Sequence, residues 1–222
     1  MDKSAQYKQL VTRRKDCRLC VPLNMTNPSV CADGRYDTEH IGPWTQWQGS
    51  LDAEVMGIGQ DWGGRDYFID EKGVETDDNE TNTNLQILLA SIGYEIGLPR
   101  QPRKSDGLFF TNAVLCLKPG RLTGSVKAGC FINCGVGFLK PQIELLQPKA
   151  VVTLGLLAYK AAMRAYGRRP RTSMRDAVQT TEVLGPSTLV PVYHCGYYGS
   201  LSRNLEEQKK DWQRVSAVIE QK

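Results

Sequence analysis

The chain has 222 residues, 41% hydrophobic and 23% charged, with a net charge of +4. That length suits one domain with a core several layers deep. No apolar run approaches the roughly 18 residues of a membrane span, and the first twenty residues lack the apolar stretch of a secretory signal; a cytoplasmic monomer with no membrane partner is expected. The mild basicity permits nucleic-acid binding without requiring it, so local clustering of Lys and Arg has to decide.

Residues 2–16 read as a short helix leading into Cys17 and Cys20, a C-x2-C pair that presents two thiolates to one metal. The seven cysteines are an odd set and cannot all pair within the chain. A reducing compartment would also disfavour a disulfide framework. Residues 21–50, rich in Pro, Gly, Asn and Asp, carry Trp44 and Trp47. Two tryptophans are costly to expose, so residues 1–50 are expected to pack as an N-terminal, cysteine-containing segment on one domain spanning 1–222.

Four short apolar runs follow: AEVMGI (53–58), GLFFTNAVLCL (107–117), AVVTLG (150–155) and TLVPVYH (188–194). Between them, helical periodicity covers 82–97, 131–146 and 155–167, and a polar helix covers 203–220. This alternation predicts a three-layer α/β/α fold around a mainly parallel, four-stranded sheet. Pro191, unable to donate to a ladder, predicts an edge or a bulge in the last strand. Ligands of such sheets bind outside the carboxyl ends of the strands. There the sequence offers Gly59-Gln60-Asp61-Trp62-Gly63-Gly64, then Asn112, then His194. A dinucleotide fingerprint is a poor match, because Trp62 occupies the place of its third glycine.

GIGQDWGG, LFFTNAVLCLKPG and VYHCGYYGSLSRN, in that order, resemble the three motifs of the uracil-DNA glycosylase superfamily, and the cysteines resemble those of its iron–sulfur branches. The resemblance runs from about residue 10 to residue 205. It implies a DNA glycosylase that flips a pyrimidine from DNA and hydrolyses its N-glycosidic bond. Asp61 would serve the sugar and the attacking water, His194 would donate to the base as charge develops, and the Gln60 amide would be a further donor to the departing pyrimidine. Asn112 would read the base edge with its amide, in a pocket bounded by Gly59 and Gly63, with Tyr67 or Phe68 as the stacking aromatic. Each also has a structural alternative: Asp61 as a turn or cap residue, Asn112 as a tie between loops, His194 as a satisfied core group.

A [4Fe-4S] cluster on Cys17, Cys20, Cys116 and Cys134 is implied, with Cys130 the alternative to Cys134. Zinc on the same pair, completed by Cys31 or His40, is the rival. DNA contacts are expected from Tyr197, Tyr198 and Leu201 as wedges, from Ser200, Ser202 and Arg203 on phosphates, and from the arginine run Arg168, Arg169, Arg171 and Arg175. Trp62 stands where the family commonly has proline, and Cys195-Gly196 where Pro-Ser is common. Gly63 replaces the tyrosine that blocks the pyrimidine 5-position in the strictest uracil enzymes. The base is therefore open: uracil, a 5-substituted pyrimidine, or a hypermodified phage base in an antiviral role. A non-catalytic DNA- or damage-binding relative is the other class.

Overall fold

The computed structural model describes residues 2–103 and 107–221. Its helices are α1 (Lys3–Asp16), α2 (Arg65–Asp70), α3 (Glu80–Ala90), α4 (Ala128–Cys134), α5 (Lys140–Leu146), α6 (Leu156–Ala165), α7 (Met174–Ala177), α8 (Tyr197–Ser202) and α9 (Leu205–Glu220). Its strands are β1 (Val55–Asp61), β2 (Leu108–Val114), β3 (Ala150–Leu154), β4 (Glu182–Leu184) and β5 (Ser187–Val192). Among the described residues no helix is long and apolar enough to cross a membrane.

The sheet has five strands rather than four, in the order β2-β1-β3-β5-β4. The four expected strands are there and mutually parallel; the added β4 is three residues long and antiparallel to β5. At three residues, it is too short for periodicity to register. Its pairing with β5 stops at Leu189, so Pro191 has β3 on one side and an open flank on the other. Proline is tolerated at such a local edge.

Side chains alternate across the sheet, as a period of two requires. Met56, Ile58, Phe109 and Val151 enter a core shared with α1, α4, α5 and α6. Val55, Phe110, Val152 and Val190 enter a second core with α3, α9 and the tryptophans. The helix expected over 82–97 ends at Ala90, just before Gly93 at φ +86°, the left-handed turn that stops helices. The 131–146 helix instead starts at Ala128 and contains a π-helical turn over Gly135–Leu139. α9 begins with a capping box between Asn204 and Glu207.

The N-terminal segment lies against this frame. Residues 45–50 run beside the outer edge of β2: the Phe110 N–H donates to the Gln48 carbonyl at 3.0 Å, and the Ser50 N–H to Leu108 at 2.9 Å. The otherwise open strand edge is thereby covered. Arg14, 1% exposed, ties α1 to the loop after it. Its guanidinium pairs with Asp37 at 2.7 Å and donates to the carbonyl of His40 at 2.8 Å. Removing one member of a buried pair strands the other's charge. Asp37→Ala should therefore lower unfolding free energy by about 3–5 kcal/mol, read by denaturant titration, whereas a change below 1 kcal/mol would mean the pair is solvated.

Candidate active site

The parallel strands run 2-1-3-5, so the chain leaves β1 for one side and returns to the other, and a crevice opens at the carboxyl end of β1. A cavity of about 500 Å³ occupies that place. Gln60 and Asp61 reach it from β1, Asn112 from β2, Leu154 and Gly155 from β3, and His194 from the end of β5. Thus the residues expected on three separate strand ends do line one space. Register contributes directly: Gly59 is the β1 partner of Asn112. A Cβ at Gly59 would stand 2.4 Å from Asn112 Oδ1 and 3.0 Å from the Trp44 ring, so this glycine allows both to close on the strand.

Asp61 is the most constrained group. Its side chain is 4% exposed, and Lys118 Nζ lies 2.9 Å from Oδ1. Gln60 Nε2 donates to Oδ2 at 2.6 Å. Lys118, six residues after Asn112, carries no signal of a role in its sequence; its side chain is 7% exposed and it lines the cavity. A backbone ladder brings it there. The Lys118 N–H donates to Gly63 at 3.3 Å, the Arg65 N–H to Lys118 at 2.8 Å, and the Asp66 N–H to Gly120 at 2.9 Å. The ladder can close because Gly64 has no side chain: a Cβ there would lie 2.0 Å from the carbonyl oxygens of both Gly120 and Arg121.

His194 has a solvent-exposed face on the cavity, yet protein surrounds the rest of the ring. Desolvation by those walls pushes its pKa below the ordinary value, and the charge of Asp61 opposes the shift. The Gly196 N–H donates to His194 Nδ1 at 3.0 Å. In the neutral ring the proton is therefore on Nε2, which leaves one N–H donor for the cavity. Gly155, Gly196 and Gly199 crowd this residue so closely that a Cβ on any of them would meet it. Buried Asn112 has no hydrogen-bond partner for its amide among the described residues, which leaves both of its functions available to a ligand.

The aromatic wall differs from expectation. Phe68 is wholly buried against Trp62 and Tyr36, and Tyr67 packs on Trp62 while its hydroxyl donates to Glu75. Neither Tyr67 nor Phe68 lines the cavity, because α2 turns both inward; Trp44 and Trp62 line it instead. Gly63 lines the cavity as expected, but a Cβ there would meet Leu122 at 3.2 Å, so a leucine fills part of the missing wall. The far wall is polar: Glu75, Asn79, Thr81 and Asn82. Asn82 is 3% exposed and its Nδ2 has no partner. Burial pushes the Glu75 carboxyl upward in pKa.

Of the expected DNA-contacting residues, Tyr198 lines the cavity, and Tyr197, Tyr198 and Leu201 are exposed on α8 beside it. The Ser200 hydroxyl donates to the Cys195 carbonyl at 3.3 Å, and the Ser202 hydroxyl donates to Tyr198 at the same distance. Arg203 is held by Asp211, with one bond at 2.8 Å, and so anchors the end of α8 to α9. Arg168, Arg169 and Arg171 line a separate cleft with Asp176 and Glu182.

Five thiols neighbour one another on the other side of the sheet. Burial first, then Cys20, Cys17 and Cys130, push the Cys116 thiol up to about 12. Cys20 is pulled down, chiefly by a hydrogen bond from Cys134, with Asn133 and Cys130 assisting. Both Cys130 and Cys134 therefore adjoin Cys20. Cys31 belongs to the other core cluster. Among the described residues no three His, Cys, Asp or Glu side chains stand in a metal-holding arrangement. The donor set itself, thiols alone, suits either an iron–sulfur cluster or zinc.

A family model described as "Uracil DNA glycosylase superfamily" matches residues 47–217. No curated protein matches the chain. The close approach at Gly64 yields a direct test: Gly64→Ala should part the 63–66 and 118–120 segments. Its melting temperature should fall, by an amount exceeding that for Gly137→Ala, where a Cβ meets nothing within 4 Å and the backbone is helical. Equal effects would mean that the ladder is not what positions Lys118.

Proposed function

The chain belongs to the uracil DNA glycosylase superfamily, and from that premise we propose that it hydrolyses the N-glycosidic bond of a pyrimidine flipped out of DNA. One observation carries the reading: Asp61, Asn112 and His194, from three distant parts of the sequence, share one cavity. Bond cleavage leaves a cationic sugar and an anionic base. Asp61, fixed through both oxygens, provides negative charge and a site for the attacking water, since a carboxylate keeps further lone pairs free. The His194 Nε2–H is a preorganised donor to the base oxygen that gains charge. The Asn112 amide, donating with one end and accepting with the other, matches the oxygen and ring N–H of a uracil-type edge and, with the amide turned over, the ring nitrogen and amino group of a cytosine-type edge. Tyr198 and Leu201, exposed at the mouth, suit the space a flipped nucleotide vacates.

The cavity also bears on base class. At about 500 Å³ it falls in the range that holds a drug-sized ligand, more than a bare pyrimidine ring fills. Buried Asn82, with an unpaired Nδ2, and Glu75 make the additional room polar. A pyrimidine carrying a polar 5-substituent fits this lining better than thymine's methyl group. On duplexes bearing uracil, thymine, 5-hydroxymethylcytosine or its glucosylated form, the hydroxylated bases should be excised fastest. Excision of uracil alone would refute the wider substrate. Asp61→Asn and His194→Ala should each slow single-turnover excision by about 10²–10⁴-fold while DNA binding persists. Unchanged binding without any excision by the wild type would favour the non-catalytic relative.

The reading extends to Cys17, Cys20, Cys116 and Cys134 as holders of a [4Fe-4S] cluster, whose role here would be to staple the N-terminal segment to the domain. Anaerobically purified protein should be brown, absorb near 400 nm and contain about four irons. Zinc without iron would overturn it.

A further inference from the structure

In base release Lys118 serves only to hold Asp61 by its charge, a part that does not require a lysine. A buried ion pair contributes little to stability compared with apolar packing, and where such a pair is structural, arginine is the usual cation because it stays charged. Here the cation is a lysine, 93% of whose side chain is shielded, inside the cavity that would hold the sugar and 2.9 Å from the carboxylate that serves it. Lysine differs from arginine in one chemical respect that matters in such a place: it can surrender its proton and become a nucleophile. Asp61 Oδ1 is positioned to take that proton.

We infer that Lys118 forms a Schiff base with C1′ of the abasic sugar and cleaves the DNA strand by β-elimination, a lyase activity that follows base excision. The inference uses the glycosylase reading for its supply of abasic sites. The proton of the Lys118 ammonium passes to Asp61, and the free amine adds to the C1′ aldehyde of the ring-opened sugar. The carbinolamine oxygen takes the proton back from Asp61 and leaves as water, giving an iminium. Asp61 then removes a proton from C2′. The electron pair moves between C2′ and C3′, and the C3′–O bond breaks with the 3′-phosphate departing as its anion. Water hydrolyses the conjugated iminium to an unsaturated aldehyde and the free amine, the released proton going to the departed phosphate, and the Lys118 amine regains its own proton from Asp61. No external oxidant or reductant enters.

The test uses the full chain with an oligonucleotide duplex carrying a preformed abasic site, so it does not depend on which base is excised. With cyanoborohydride present, the wild type should give a covalent protein–DNA adduct that peptide mapping assigns to Lys118. Without the reductant, it should give a strand break ending in the unsaturated aldehyde. Lys118→Arg keeps the charge beside Asp61, and a melting temperature near wild type would certify its fold; its adduct and its strand break should both be lost. An adduct that persists in Lys118→Arg, or that maps to the N-terminus or another lysine, would overturn the inference. So would base excision by the wild type with no adduct at all. Adduct formation at Lys118 with no excision from any duplex of the base panel would leave the lyase standing and remove the glycosylase reading.

Discussion

A carboxylate 4% exposed at the end of a central strand has to be compensated, and much of the site's construction serves the compensation of Asp61. One oxygen takes Gln60, its neighbour in sequence; the other takes Lys118, fifty-seven positions away. The second partner demands that the loop after β1 and the loop after β2 run side by side. They do so through three backbone hydrogen bonds, and Gly64 permits the distance. The same loop pairing orients α2, which buries Tyr67 and Phe68 and leaves Trp62 facing the cavity. A single electrostatic requirement thus fixes the path of two loops, the identity of the aromatic wall and the placement of the second titratable group.

The strands and the residues at their carboxyl ends were legible in the sequence because both follow from local pattern. Period-two apolar runs separated by helical segments imply a parallel sheet, and a parallel sheet implies where its ligand site lies. Gln60, Asp61, Asn112 and His194 needed nothing more. Lys118 was not legible, since in LCLKPG it looks like one polar residue at the end of an apolar run. Its role arises from loop-to-loop contact that no periodicity encodes. Trp44 is a similar case: it precedes β1 by eleven residues and reaches the cavity by stacking on Phe110 of β2, 4.8 Å between ring centroids. Tyr67 and Phe68 misled because proximity in sequence to Gly63 suggested proximity to the ligand, whereas one helical turn rotates them into the core.

The segment from Asn112 to Lys118 connects two regions that the sequence reading treated separately. Within seven residues it supplies the cavity-lining amide of Asn112, the buried thiol Cys116 and the amine on Asp61. Thr26 and Leu117 exchange hydrogen bonds at 2.8 Å in both directions, so the N-terminal segment grips this stretch between the thiol and the amine. Trp44 belongs to the same N-terminal segment. The cysteine region on one side of the sheet and the cavity on the other therefore share their backbone support, and loosening the first must loosen the second.

Gly63 needs a different interpretation in this light. Read from sequence, it was an absent wall that opened the pocket beside the pyrimidine 5-position. Leu122 and Tyr67 stand 3.2 and 3.5 Å from where its Cβ would be, so the opening is partly refilled by an apolar side chain. Added room lies instead toward the start of α3, where Glu75, Asn79, Thr81 and Asn82 face the cavity. An apolar filler would have served equally well to reject or admit a methyl group, but it could not favour a hydroxyl. An unpaired, buried amide such as that of Asn82 is destabilising unless something hydrogen-bonds to it. What distinguishes this cavity is accordingly its polar end more than the glycine beside Leu122.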